Sequence, residues 1–301
     1  MKAINIENLT KSYGTFTAVD HISISAEKGQ LIGFLGVNGA GKSTTINMMS
    51  TLLMPTSGSI SICGHDTQKE SRIVREKIGI VCQNNVLDDL LTVQENLMCR
   101  GIIHGMRKID AAARLSELSA VFSLDGLLKQ KYRTLSGGQK RRCEIAAALM
   151  HTPEILILDE PTTGLDPAAR QEVWDMVTGL QAQTEMTVFL TTHYMEEAAK
   201  ADQIIMLHKG KIIAEGTPHA LKETYASDKL KLYCDPAQKE ALSNMLADQQ
   251  ISQENYGICV KLRSTKEVMP ILNRIDAMYE SFEVIHGTLD DVFLDVTKEV
   301  C

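Results

Sequence analysis

Eight residues, "GVNGAGKS" from Gly36 to Ser43, combine glycine, lysine and serine at a spacing suited to holding phosphate. Glycines let successive backbone N–H groups turn toward one anion, and a helix N-terminus behind them adds its positive end. The backbone of Gly36, Asn38, Gly39, Ala40 and Gly41 would form the cradle. Lys42 would bring a point charge to the β- and γ-phosphates, Ser43 a hydroxyl for Mg²⁺, and Thr44 a further phosphate hydrogen bond. A second stretch, "EILILDEP" at 154–161, is an apolar run ending in two carboxylates. At the carboxyl edge of a buried strand those acids would stand where α/β proteins bind ligands. Asp159 would hold Mg²⁺ through a bound water, and Glu160 would orient or deprotonate an attacking water.

"SGGQK", 136–140, raises a different question. Two adjacent glycines weaken regular structure, yet "KRRCEIAAALM" behind them is strongly helix-forming. Ser136 therefore reads as a helix cap, with Gly137, Gly138 and Gln139 in the first turn. This is a second glycine-rich helix N-terminus, hence a second anion site, in a chain with one phosphate loop. The economical explanation is that it serves the nucleotide of another copy. Four single residues gain meaning only beside these motifs. Gln83, just past a strand, can touch Mg²⁺ or the water, and His193, after "VFLTT", can reach the γ-phosphate. Tyr13 can stack on a base, and Asp166 in "GLDP" can cross a subunit boundary. Taken alone they read as a loop amide, a strand-end histidine, a core aromatic and a turn residue before Pro167.

Positioning these residues calls for strands that end at them. Strands are expected at "AINIENL", 30–37, 57–64, 77–83, 154–159 and 186–193, with a hairpin over 203–216 turning at Lys209-Gly210. Residues 92–151 carry helical period almost throughout, so a helical insert separates the sheet elements. Apolar strands alternating with helices point to an α/β fold. From about residue 224, "KLKLYC", "GICVKLR" and "SFEVIHG" read as strands, and "PAQKEALSNMLAD", "KEVMPILNRIDAM" and "TLDDVFLDVTKEV" as helices. Within the second of these, Pro270 requires the helix to start just before it or to kink.

Composition limits the partners. The 301 residues carry 31 basic and 38 acidic side chains, net −7, which disfavours binding along a nucleic-acid backbone. No apolar run reaches the roughly 20 residues that span a bilayer, and the N-terminus lacks a signal-peptide core. Any work at a membrane would go through a partner chain. The seven cysteines (63, 82, 99, 143, 234, 259 and 301) make no C-x-x-C pair and are expected as reduced thiols.

Taken in order, the motifs resemble those of the ATP-binding subunits of ABC transporters. "GVNGAGKS" stands as Walker A, Gln83 at the Q-loop, "LSGGQ" as the signature and "ILILDE" as Walker B with its following Glu. "TTGLDP" stands as the D-loop, His193 as the switch histidine and Tyr13 as the adenine-stacking aromatic. "LSGGQ" alone arises by chance in roughly one chain in a few thousand at average composition. The tail "GTLDDVFLDVT" (287–297) resembles that of drug-exporter-type ATPases that pair with ABC-2 membrane subunits.

The resemblance implies a P-loop NTPase cassette over 1–222: a mixed sheet core with a helical subdomain at about 84–151, followed by a small α+β domain over 223–301. It implies ATP and Mg²⁺ as ligands and an ATP-sandwich dimer with a second copy or a homologous ATPase. It further implies an ABC-2-type permease as partner and a peripheral place on the cytoplasmic face of the membrane. Two other readings share the catalytic residues. One is a soluble ABC ATPase acting on nucleic acid or the ribosome, against which stand the acidic balance and the single cassette. The other is an importer ATPase with a regulatory tail, opposed only by the tail resemblance.

Overall fold

The computed structural model describes residues 2–262, 264–275 and 278–299. Arg263, Asp276, Ala277 and Val300, which fall in expected strands and helices, and Cys301 lie outside the described residues. The chain forms two compact units, Met1–Gly216 and Thr217–Cys301.

In the first unit, β1 (Lys2–Tyr13) and β2 (Phe16–Glu27) make a long antiparallel hairpin. β3 (Leu31–Leu35) is buried along its whole length and leads through the glycine loop into α1 (Lys42–Met49). β4 (Ser57–Ile62) returns to β1, and the short β5 (His65–Asp66), α2 (Ser71–Lys77) and β6 (Ile78–Val81) follow. Three helices come next: α3 (Val93–Ile103), α4 (Lys108–Val121) and α5 (Gly137–Ala148). The chain then returns through β7 (Ile155–Asp159), α6 (Pro167–Thr184), β8 (Thr187–Thr192), α7 (Met195–Ala198), β9 (Gln203–His208) and β10 (Lys211–Gly216).

Two sheets result. One is antiparallel in the order β2-β1-β4-β5, and the other runs β10-β9-β3-β8-β7-β6. The second is parallel except for β10, which turns back on β9 through Lys209-Gly210. It is thus a mixed sheet, and its parallel strands are near-continuous apolar runs because both faces are covered. Ile32 and Phe34 of β3 share one core with Ile4, Ile6, Ile60 and Ile62 of the antiparallel sheet and with Phe189 of β8. No helix among the described residues is long and apolar enough to cross a membrane.

In the second unit, α8 (Pro218–Tyr225) is capped by the Thr217 hydroxyl and packs on the last helix. The division therefore falls a few residues before the expected 222/223 boundary. β11 (Asp228–Tyr233), α9 (Lys239–Met245), β12 (Gln250–Glu254), β13 (Gly257–Leu262), α10 (Val268–Arg274), β14 (Ser281–Ile285) and α11 (Leu289–Glu299) complete it. The strands form an antiparallel sheet, β12-β13-β11-β14. α10 begins just ahead of Pro270, so the ring falls in the first turn, where no helical N–H is lost. Leu230, Leu232, Ile258 and Val260 of the sheet pack with Leu242, Leu246, Ile271 and Leu272 of the helices. Cys63, Cys82, Cys99, Cys143, Cys234 and Cys259 are free thiols.

Candidate active site

The site follows from strand order. β3, β8, β7 and β6 are neighbours and run the same way, so their carboxyl ends share one edge. The glycine loop leaves β3, His193 follows β8, Asp159 ends β7 with Glu160 next, and Gln83 lies just past β6.

The loop wraps closely because it lacks side chains where the backbone passes. A Cβ on Gly36 would lie 2.5 Å from the Leu207 carbonyl oxygen. Gly41 has φ +110° and would place a Cβ 2.5 Å from the Ala18 oxygen, so both space and backbone require glycine there. Lys42 is buried, and its Nζ donates to the Gly36 oxygen at 2.6 Å and the Val37 oxygen at 3.3 Å. Burial pulls its ammonium pKa down, against the opposing pull of Glu160 and Asp159.

Glu160 is the hub. Its backbone takes φ +47°, a costly conformation for a residue with a Cβ. Its N–H donates to the Thr191 carbonyl at 3.1 Å and the Thr191 hydroxyl at 3.0 Å, which holds it there. Its Oε2 accepts from Gln83 Nε2 at 3.2 Å and from the Thr163 hydroxyl at 3.0 Å, and lies 3.4 Å from His193 Nδ1. Its Oε1 lies 3.8 Å from Lys42 Nζ. Asp159, beside it, accepts from the Thr191 hydroxyl at 2.6 Å. Burial pushes the Asp159 carboxyl up, and that hydrogen bond pulls against the rise.

A cavity of about 390 Å³ opens over Lys42, Gln83 and Glu160; Gly36, Ala40, Asp159 and His193 are not among its lining residues. Tyr13, Asn38, Gly39, Gly41, Lys42, Ser43, Thr44, Gln83 and Glu160 all line it. Phe16 and Ala18 line it too, and neither belongs to a motif. Tyr13 and Phe16 flank the β1–β2 turn and are half or more exposed, so two aromatic faces stand at the mouth.

Ser136, Gly137, Gly138, Gln139 and Asp166 do not line this cavity. Ser136 caps α5, accepting from Gln139 N–H while Gln139 accepts from Ser136 N–H. That capping box leaves the first-turn N–H groups of Gly137 and Gly138 without an intrahelical acceptor. A Cβ on Gly137 would meet Leu165 Cδ2 at 3.3 Å, and one on Gly138 would meet Ala169 Cβ at 3.0 Å. Asp166 caps α6, its Oδ1 accepting from Ala169 N–H at 3.0 Å.

Thr163, Thr191 and Arg141 also belong to the site, and no spacing rule marks Thr163 or Arg141. Arg141, one turn into α5, is buried and donates to the carbonyl oxygens of Cys82, Gln83 and Glu160. One signal was available for Thr191: a hydroxyl two residues before a strand-end histidine lies beside whatever the neighbouring strand's end carries.

A glycine loop, a buried lysine and two carboxylates on one sheet edge define a P-loop nucleotide hydrolase. The ABC transporter family profile matches residues 19–163. The daunorubicin/doxorubicin resistance ATP-binding protein DrrA of Streptomyces peucetius is 37% identical over 306 residues, spanning 98% of this chain and 92% of its own. The Nod factor export ATP-binding protein I of Burkholderia orbicola is 37% identical over 300 residues, 98% of this chain and 96% of its own. A solved dimeric, post-hydrolysis ATP-binding cassette bound to ADP and Pi superposes with TM-score 0.65 at 29% identity, covering 71% of this chain and 98% of that one. The chain belongs to the ABC transporter family, as an ATP-binding and ATP-hydrolysing subunit of the drug-exporter type.

Proposed function

We propose that this subunit energises export by closing with a second copy, or a homologous ATPase, around two ATP molecules. The observation that carries the reading is the placement of Glu160. Its carboxylate is buried, faces the cavity, and is met at once by Gln83, Thr163, His193 and Lys42.

In this reading the loop N–H groups and Lys42 bind the β- and γ-phosphates, and Tyr13 stacks on the base. Glu160 accepts a hydrogen bond from the attacking water and takes its proton. Gln83 and Thr163 fix the carboxylate so that it need not reorganise, and His193 faces the γ-phosphate. Oxygen donors suit Mg²⁺: the Ser43 hydroxyl, the Gln83 amide oxygen and the Asp159 carboxylate are of that kind. Asp159, a buried carboxylate with a hydroxyl partner, gains from a cation nearby. Bound there, Mg²⁺ would neutralise charge on the phosphates.

The signature residues 136–139 stand outside their own chain's cavity with first-turn N–H groups free of helical partners, which supports their serving the second copy's γ-phosphate across the dimer, with Asp166 near the boundary. The solved relative described above is itself a dimer. The helical insert receives an ABC-2-type membrane subunit, and the protein lies at the cytoplasmic face of the membrane.

Glu160→Gln keeps an oxygen for Gln83 and Thr163 but cannot take a proton. It is expected to bind ATP, to hydrolyse it at least about a hundredfold more slowly, and to accumulate as an ATP-bound dimer by light scattering. Lys42→Ala is expected to weaken ATP binding itself. Wild-type turnover by Glu160→Gln would remove the carboxylate from this role.

A further inference from the structure

We propose that Arg141 is a positioning residue that couples the two nucleotide sites of the dimer. The proposal rests on the two-chain reading above. In that reading the N-terminus of α5 serves the partner's nucleotide, whereas Gln83 and Glu160 serve the chain's own. Arg141 joins the two within one chain.

Arg141 is 5% exposed, and its guanidinium spends its donors on three segments. Nη1 donates to the Cys82 oxygen at 2.8 Å and to Glu144 Oε2 at 3.2 Å. Nη2 donates to the Gln83 oxygen at 3.4 Å and to the Glu160 oxygen at 3.3 Å. Glu144, one turn further along α5, accepts the Val86 N–H at 2.8 Å and the Tyr132 hydroxyl at 3.1 Å through Oε1. One face of α5 therefore grips the loop after β6 at Cys82, Gln83 and Val86, and grips the backbone of Glu160 as well. Glu160 is held from the other side by Thr191. A shift of α5, driven by phosphate at its first turn, thus moves both the Gln83 amide and the Glu160 carboxylate. A planar fork with five donors can span these acceptors; a lysine keeps the charge facing Glu144 but cannot.

A buried ion pair could serve stability alone, because removing one partner strands the other's charge. Two variants of the full chain separate the roles. Arg141→Lys keeps the charge, and Arg141→Gln with Glu144→Gln removes both charges together. Each is measured for melting temperature, ATP affinity by equilibrium titration, and ATPase rate against ATP concentration. Expected results are a melting temperature near wild type for the double variant and unchanged ATP affinity, since the phosphate loop is untouched. The kcat should fall roughly ten- to hundredfold without a rise in KM, and the Hill coefficient should drop from above 1 in the wild type to 1. A wild-type Hill coefficient of 1 would overturn the coupling. So would a double variant that regains wild-type kcat and cooperativity with its stability, since Arg141 would then be structural only. The same variants in the Glu160→Gln background are expected still to dimerise with ATP. If Glu160→Gln alone forms no ATP-dependent dimer, the two-chain reading fails first, and that outcome is distinct from loss of coupling in a dimer that forms.

Discussion

Asp159 and Glu160 are adjacent acids with different surroundings. Asp159 meets the Thr191 hydroxyl at 2.6 Å, and burial raises its pKa, whereas Glu160 is turned by its positive φ toward the cavity. Thr191 serves both, donating to Asp159 and accepting from the Glu160 N–H. Thr191→Val preserves shape and leaves the Glu160 N–H its bond to the Thr191 carbonyl. It strips Asp159 of a donor that favours its charged form, so the Asp159 pKa rises further. The Mg²⁺ concentration for half-maximal hydrolysis should rise about fivefold, the worth of one hydrogen bond of ~1 kcal/mol. The acid limb of the rate profile should move to higher pH. A Mg²⁺ titration of the ATPase at saturating ATP checks the first, and an unchanged requirement would detach Thr191 from metal binding. The glycine loop, the two acids, Gln83 and His193 could be picked out of the sequence because each closes a strand or opens a helix, which are local properties. Thr163 and Arg141 could not, because neither closes a strand nor opens a helix: Thr163 reaches Glu160 from the turn behind it, and Arg141 reaches Cys82 and Gln83 across 59 and 58 residues of chain. Phe16 carries no such mark, because it begins β2, a strand whose apolar alternation is broken by register shifts against β1.

At the scale of elements, the helical period exposed α3, α4 and α5, and unbroken apolar runs exposed β3, β7 and β8. β2 escaped because His21 at φ +52° and the register shifts opposite β1 break its alternation. β12, "QISQE", escaped because it is a largely exposed edge strand without an apolar face. The helical region is tied together by a feature that no periodicity contains. His104, at the end of α3, stacks on His151, after α5, with ring centres 3.8 Å apart. His151 Nε2 donates to the Ile78 oxygen at 3.0 Å, linking the stack to β6. Burial pushes the His151 pKa down to about 4, with His104 adding to the fall; burial and Arg100 lower His104, against a small opposing pull from Glu76. The unfolded chain keeps an ordinary histidine value near 6.5. Between pH 6.5 and about 4 the unfolded state therefore binds more protons than the folded state, and stability falls as the pH falls. Above pH 6.5 this contribution is fully present. The melting temperature should drop by roughly several degrees between pH 7 and 5. His151→Gln, whose amide can still donate to Ile78, should flatten that dependence in a calorimetric pH series. A slope unaltered by the substitution would place the sensitivity elsewhere.

At the scale of the whole molecule, each unit closes its own sheets and its own core. Neither sheet of the first unit takes a strand from beyond Gly216, and every residue lining the nucleotide cavity lies between Tyr13 and Glu160. The second unit covers both inner strands of its sheet, β11 and β13, with α9 and α10, and α8 packs on α11. Cutting at Gly216/Thr217 severs one backbone connection and no strand pairing, whereas a cut after residue 222 would divide α8 and leave half of it without α11. A fragment of residues 1–216 should unfold in one cooperative step and bind ATP within about threefold of the full-chain affinity, under ~1 kcal/mol by the usual conversion. ATP at about a hundred times its Kd should stabilise that fragment by ~2.7 kcal/mol, as for any ligand that binds only the folded state. A fragment of residues 217–301 should also fold, though with a small margin, because a domain of this size buries a modest share of its surface. Scanning calorimetry of the two fragments with and without ATP provides the check. An ATP-dependent shift is expected in the first fragment and none in the second. A first fragment that fails to fold, or binds no nucleotide, would mean that the second unit supplies part of the cassette's core or site, which the sheet order and the lining residues do not support.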